Sequence, residues 1–436
     1  MPGAPPVTDP NRKTSRLLRR GLPAAILLVI LGVAAGLYVD HQRRPGSVFH
    51  PRVPFVAQPS PKPTTGIDVA AWPLYGFSKD HARVAPVPAR MHPPFRRVWT
   101  AYGHALLEFP PVIDHHALYQ LDDDGVVHAT DTTTGRLLWA RKVGTLAASS
   151  PAASGNSVYV TLLTYGHGSR GRVVALRQSD GRIRWIRNLP SRSESSPLLD
   201  RGRIYLGSQN GTVYGLNAHS GRVIWTYQAQ GAVKASPTLS SGRLYFGDYG
   251  GHVQAIRESD GRRLWITGGN GLIGGGTFYS TPAAVFGRIF LGSTDGRVYA
   301  YDAANGSLAW AHQTGSYVYS SPAVTEVAGV GPTVFIGSYD GTFYALNARS
   351  GAVRWRYRAG GRISGSPTVL GALVYFAVLG THRTVALDLR DGHVVYTRPS
   401  GSFDPVVTDG VRIYLSGLTG LFGLIPTGHR HPKPHR

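Results

Sequence analysis

Residues 321–355 read SPAVTEVAGVGPTVFIGSYDGTFYALNARSGAVRW, and this stretch decides the fold. Pro322 opens it. The run 333–337 (TVFIG) is β-rich, and the Asp340-Gly341 pair that follows is a tight hairpin signal. The run 342–346 (TFYAL) is the next strand. Residues 347–351 (NARSG) form a turn in which Asn and Gly offer local hydrogen bonds and positive φ. Val353-Arg354-Trp355 begins the last strand. The unit reads as four strands joined by three turns.

The unit recurs along most of the chain. Its opening proline returns at Pro111, Pro151, Pro197, Pro237, Pro282, Pro322, Pro367 and Pro405, with spacings of 40, 46, 40, 45, 40, 45 and 38 residues. Most of these prolines follow a hydroxyl residue: Ser150, Ser196, Ser236, Thr281, Ser321 and Ser366. Four strands every ~40–45 residues is the signature of propeller blades. A second marker, G-x-x-x-W, runs from Gly135/Trp139 to Gly351/Trp355, with Gly392/Tyr396 as a variant.

The eighth copy is incomplete. It opens at Pro405 and ends near Gly428 with no tryptophan strand. Near the other end, Arg97-Val98-Trp99 stands before the first opening proline with no blade of its own. Residues 98–101 are therefore expected to supply the outer strand of the eighth blade. Such closure joins the two ends of the domain and protects the sheet edges. Eight prolines then match eight aromatic strands, at Trp99, Trp139, Trp185, Trp225, Trp265, Trp310, Trp355 and Tyr396. The expected fold is an all-β, eight-bladed propeller.

The segment A-x-[D/N]-x-x-x-G-x-x-x-W, seen from Ala129 to Trp139, Ala300 to Trp310 and Ala345 to Trp355, resembles the tryptophan-docking motif of the quinoprotein-like (PQQ-like) propellers. Arg177 and Arg257 depart from it. Trp72-Pro73-Leu74-Tyr75-Gly76 with Asp80-His81-Ala82-Arg83 resembles the lead-in that often precedes blade one in that family. The resemblance covers residues 68–428. It implies that each tryptophan stacks on the neighbouring blade, a structural role that says little about chemistry.

An active quinoprotein dehydrogenase of this type is expected to need a tryptophan beneath the quinone, in many members a pair of adjacent cysteines, and a Ca²⁺ site of Glu, Asn and Asp beside a catalytic Asp. This chain has no cysteine, and its eight tryptophans are all assigned, seven to blade closure and Trp72 to the lead-in. The reading is therefore of no catalytic residue, no metal and no cofactor, with PQQ and Ca²⁺ entering only if the chain is a PQQ-dependent dehydrogenase after all. The absence of cysteine also excludes disulfides, a Cys nucleophile and anchoring through a lipidated cysteine.

Before the ring, residues 1–20 are basic, with Arg12, Lys13, Arg16, Arg19 and Arg20 against Asp9. Residues 21–39 (GLPAAILLVILGVAAGLYV) carry no charge, and about 19 residues at 1.5 Å each approach the span of a bilayer core. They read as a signal-anchor helix with a cytoplasmic N-terminus. The alternative is a signal peptide cleaved near Ala34-Ala35-Gly36. Residues 40–67 form a Pro-rich linker, expected to act as a semi-extended tether. Residues 68–96 carry the lead-in and a second group of prolines and are expected to pack loosely on the ring. Residues 429–436 (HRHPKPHR) are read as a disordered basic tail.

Chemistry in a propeller concentrates at the mouth of the channel. Three places before each opening proline stand Glu108, Ala148, Glu194, Lys234, Tyr279, Tyr319, Ser364 and Ser402. Glu108, Glu194, Lys234, Tyr279 and Tyr319, together with Asp404, are the candidate funnel-lining residues. Glu194 and Lys234 lie on adjacent blades and are expected to pair, and Tyr279 and Tyr319 to form an aromatic lip. The loop at 268–276 (GGNGLIGGG) is not a phosphate loop, because no Lys-Ser/Thr follows it and no helix begins there. The net charge of +22 would attract anionic lipid, acidic envelope polymers or acidic proteins; nucleic acid is not expected, because the ring is read as exported and no aromatic-plus-basic recognition motif stands out. The leading expectation is a non-catalytic, membrane-tethered, extracytoplasmic and monomeric ring that binds protein or envelope-polymer partners. A PQQ-dependent dehydrogenase and a sugar- or ligand-binding sensor are the alternatives.

Overall fold

The computed structural model describes residues 46–57, 71–164, 170–269, 276–401, 403 and 406–428. Residues 1–45, and with them the expected helix at 21–39, lie outside these, as do residues 58–70 and the tail at 429–436. Among the described residues no helix is long and apolar enough to cross a membrane.

The described residues form eight sheets, seven of them built on four consecutive antiparallel strands and the eighth on four strands from the two ends of the ring. Blade 1 shows the pattern: Val112–Asp114, Ala117–Leu121, Val126–Asp131 and Leu137–Lys142, paired in that order. Burial follows position along the blade. Every residue of Ala117–Leu121 is buried, whereas the outer strand Leu137–Lys142 is mostly exposed. A middle strand packs against neighbouring blades on both faces, so its residues run apolar without alternation. Outer strands have one wet edge, which explains the arginines they carry.

The ring closes as the repeat requires. Phe95–Tyr102 pairs antiparallel with Gly420–Pro426, setting Trp99 opposite Gly423 and Thr100 opposite Phe422. The eighth blade thus takes its outer strand from before blade 1 and its other three from the end of the chain.

Seven tryptophans hold the seams between blades. The Trp139 indole N–H donates to the Gln178 carbonyl of the next blade at 2.7 Å, and Trp185 to Ala218 at 2.9 Å. Trp225, Trp265, Trp310 and Trp355 repeat the bond to Glu258, Ala303, Ala348 and Leu389. Trp99 makes it across the closure, to the Thr132 carbonyl of blade 1 at 3.0 Å. Tyr396 makes no such bond among the described residues and instead meets Phe95 edge-on, with ring centroids 5.5 Å apart.

The lead-in does not pack loosely. It threads the centre of the ring and pairs, backbone to backbone, with six innermost strands. Trp72 exchanges two hydrogen bonds with Ile113 of blade 1. The carbonyls of Pro73, Lys79, Asp80, Ala82 and Arg83 then accept from Ala153, Leu239, Ala284, Val324 and Val369, of blades 2, 4, 5, 6 and 7, at 2.8–2.9 Å. Each acceptor meets the second residue after an opening proline. Lys79 reaches blade 3 through an ion pair with Asp200 at 2.8 Å. The physical reason is that innermost strands leave an open edge of N–H groups toward the axis, and buried donors must be satisfied. The plug is anchored by apolar burial as well: Trp72 is 1% exposed and joins the core beneath blade 1, while His81 and Arg83 are buried polar groups at 1% exposure.

Residues 46–57, expected within the linker, lie along blade 5. Val48–Phe49 pairs with the outer strand Leu308–Gln313, and Phe55 stacks on Phe286 at 5.3 Å. Arg288 holds this strap by donating to the carbonyls of Val53 and Pro54.

Candidate functional site

One face of the ring carries both the loops that run from each outer strand to the next blade and the turns between the second and third strands. A cavity of about 70 Å³ opens at its centre, with the plug as its floor. Glu108, Glu194, Lys234, Tyr279, Tyr319 and Ser364 all line it, so the register counted back from the prolines brings these residues together. Ala148 does not line it. Asp404 and Ser402 lie outside the described residues.

The depth of the cavity is set by a girdle of hydroxyls, the Ser and Thr that precede the prolines. The Ser321 N–H donates to Ser366 Oγ at 3.0 Å, Thr281 N–H to Ser321 Oγ at 2.9 Å, and Ser150 N–H to Ser196 Oγ at 2.9 Å. Each hydroxyl therefore stitches one innermost strand to the next. Proline at the following position has no N–H to satisfy, which suits a crowded axis.

The ionic groups sit above the girdle. Lys234 Nζ pairs with Glu194 Oε1 at 2.9 Å and lies 4.8 Å from the centre of the Tyr249 ring. Glu194 also accepts from Gln209 Nε2 and, at 3.4 Å, from the Tyr279 hydroxyl. Burial raises Tyr279 well above the usual phenol range, with Glu194 adding to it, so the hydroxyl stays protonated and can donate. Glu108 has no hydrogen-bond or ion-pair partner among the described residues. Burial pushes its carboxyl up and the Glu194 charge pushes it further. Asp123 nearby is pushed up to about 6, first by burial, then by Glu108, Asp122 and Asp124.

The rim is tyrosine. Tyr249 meets Tyr279 edge-on at 6.4 Å, Tyr279 meets Tyr319 at 5.9 Å, and Tyr319 meets both Tyr317 at 6.0 Å and Tyr339 at 4.9 Å. Arg362 lies 5.7 Å over the Tyr339 ring. Tyr317 is the outermost, 52% exposed. Counting back from the prolines finds Tyr279 and Tyr319 but misses Tyr249 and Tyr339. These two stand just before the tight turn, at matching places in blades 4 and 6, so aligning the repeats on their turns would have found them.

Beneath the rim, Tyr75 of the plug forms the floor, with its hydroxyl 3.3 Å from Ser366 Oγ. The Arg83 guanidinium stacks under its ring at 4.1 Å. Burial, and then Arg83, hold His81 down to about 3, so it is neutral, with Nδ1 2.8 Å from Thr238 Oγ1.

The family model described as outer membrane protein assembly factor BamB matches residues 95–185, 169–321 and 320–418. The chain belongs to this BamB family. A stretch of 99 residues is 32% identical to the BamB of Yersinia pestis, covering 22% of this chain and 24% of that protein. Another, of 131 residues, is 28% identical to the tetrathionate hydrolase of Acidithiobacillus ferrooxidans, covering 25% of this chain and 26% of that protein. The chain thus aligns with about a quarter of the length of each of these curated relatives. Among solved structures, BamB from Moraxella catarrhalis is similar with a TM-score of 0.62 at 17% identity, over 78% of this chain and 100% of that one. A quinohemoprotein alcohol dehydrogenase from Pseudomonas putida is similar with a TM-score of 0.70 at 13% identity, over 85% of this chain and 82% of that one. At such identities the likeness shows the fold alone.

The residues of this funnel do not fit the quinone and Ca²⁺ that a PQQ-dependent dehydrogenase would need. A cavity of about 70 Å³ is far below the ~300–1,000 Å³ of sites that enclose a sizeable ligand. Its aromatic walls are tyrosine and phenylalanine. The indoles are committed to the blade seams and the lead-in. Glu194 is already engaged by Lys234, Gln209 and Tyr279. Among the described residues the one cluster with spacing for a metal is Asp388, Asp391 and His393, in a turn of blade 7 where Asp391 and His393 are exposed. There Asp388 and Asp391 already cap the backbone N–H groups of Arg390 and His393.

Proposed function

We propose that this chain is a non-catalytic scaffold, tethered to a membrane through residues 21–39, whose ring stands outside the cytoplasm and binds protein partners on its tyrosine-rimmed face. The observation that carries the reading is the closed axis. The plug and the hydroxyl girdle leave about 70 Å³ at the centre, so the accessible chemistry of this face is its rim. The rim offers Tyr249, Tyr279, Tyr317, Tyr319 and Tyr339, flanked by Arg362, and Tyr and Arg are the residue types that dominate protein-contact energies. Membership of the BamB family supports the same reading. The basic charge of +22 adds acidic envelope polymer as a second class of contact.

The test is photo-cross-linking in membranes from a photoreactive residue placed at Tyr317 or Tyr339, with Ile183 on an outer strand as the comparison position, followed by mass spectrometry. The expected result is one protein captured from both rim positions, not captured from position 183, and lost when Tyr319 is changed to Ala. Recovery of no common protein would sink the scaffold. The quinoprotein reading is tested by adding PQQ and Ca²⁺ to the purified chain, where a quinone absorbance band with dye reduction would replace the scaffold reading.

A further inference from the structure

Two carboxylates face the funnel cavity, and they differ in what holds them. Glu194 is saturated: an ammonium, an amide and a phenol all reach it. Glu108 lines the same cavity and meets no donor among the described residues. Glu108 is half-buried, so its carboxylate is partly stripped of water yet still open to a cationic donor arriving from the mouth, which would lower the free energy of the site. The walls around it are aromatic, with Tyr75, Phe109, Tyr279 and Tyr319. Ring faces attract cations most strongly where water is excluded. The protein already shows how this funnel holds an ammonium: Lys234 Nζ sits between the Glu194 carboxylate and the face of Tyr249.

Size and field agree. About 70 Å³ suits a head group of a few heavy atoms, a little more than two waters at ~30 Å³ each. In a chain of net charge +22 this mouth is locally acidic, with Asp123 close enough to Glu108 to feel its charge. That field draws a cation inward.

We infer that the space beside Glu108 receives the ammonium or guanidinium group of a ligand, walled by Tyr75, Phe109 and Tyr279. The group comes either from a Lys or Arg side chain of a bound protein, which rests on the scaffold reading, or from a free amine, which does not.

The experiment is calorimetric titration of the full chain with n-butylammonium chloride and with a blocked Gly-Lys-Gly peptide, using sodium chloride at equal ionic strength as reference. Wild type should bind at least one probe saturably. Glu108→Gln should weaken that binding tenfold or more. Lys234→Gln should tighten it severalfold, because it removes the competing ammonium and frees Glu194. The two variants shift affinity in opposite directions, so a general loss of folding cannot imitate the pair, and thermal melts confirm that each is folded. Butylammonium bound as tightly as the peptide assigns the site to free amines, and a clear preference for the peptide assigns it to protein side chains. No saturable binding by wild type, or unchanged binding by Glu108→Gln, overturns the inference. Cation binding that persists where rim cross-linking finds no partner sinks the scaffold alone. Rim cross-linking that persists without cation binding sinks this site alone.

Discussion

The Trp99 indole lies against the backbone of Gly135 so closely that a Cβ added there would stand 2.6 Å from the ring. These two residues form the seam between the last blade and the first, where the chain ends must meet. The same approach recurs at Gly181 on Trp139, Gly221 on Trp185 and Gly351 on Trp310. The glycine of the repeat thus belongs to one blade and serves the tryptophan of the blade before it.

Gly135→Ala should therefore destabilise the ring. The residue has φ +73°, where a side chain is strained, and the new methyl has no room. Strain and overpacking together should cost about 2–4 kcal/mol. Gly155→Ala is the matched control, with φ +58° but nothing within 4 Å of the added methyl, and should cost only about 1 kcal/mol. Thermal melts of the two variants, with equal losses counting against a packed seam, check this.

Trp72→Ala should loosen the plug. The side chain is almost fully buried and meets Phe77 with ring centroids 4.9 Å apart. Its truncation should cost about 3–5 kcal/mol. The more telling readout is hydrogen exchange. Protection at the amides of Ala153, Leu239, Ala284, Val324 and Val369, which the plug accepts from, should fall more than protection in middle strands such as Thr342–Asn347. Uniform loss would mean the plug has no cooperative identity of its own.

Asp123→Asn should stabilise the protein in a pH-dependent way. The folded carboxyl is held up to about 6, above its ordinary value of 3.8. The folded state thus binds this proton more tightly than the unfolded state. Its stabilising contribution is present in full below about pH 4 and is lost as pH rises through about 6. The variant and wild type should melt together near pH 4, with the variant higher at pH 7–8. A constant difference across that range would contradict the shift.

The ring and the rim were legible to different degrees, for physical reasons. Closure through Trp99 could be read because the repeat fixes both the missing strand and the orphan segment. Glu108, Glu194, Lys234, Tyr279 and Tyr319 could be counted out because each innermost strand begins at a proline. The plug could not. Residues 72–85 match no repeat and show no strand periodicity, and what holds them is backbone carbonyls meeting open strand edges, which side-chain pattern does not record. The Glu194–Lys234 pair could be read from adjacent blades, but the lack of a partner for Glu108 among the described residues could not, because it depends on where every other donor around the mouth turns.

The last prediction concerns Arg83, whose side chain is buried under Tyr75 with Nε and one terminal nitrogen lacking a hydrogen-bond partner among the described residues. A guanidinium stays charged at every working pH, so this burial opposes folding. Its stacking on Tyr75 offsets part of that, by about 2 kcal/mol for a desolvated pair. Desolvation of unpaired N–H groups is the larger effect, at about 1–3 kcal/mol for each. Arg83→Met keeps the apolar stem and the hydrogen bond from the Val369 N–H to its carbonyl, and should raise the melting temperature. It also removes the second cause, after burial, of the depressed His81 pKa. The His81 ring should then titrate above its wild-type value of about 3 while staying below 6.5, because burial remains. A lower melting temperature with His81 unmoved would show that Arg83 is held by interactions stronger than its stack on Tyr75.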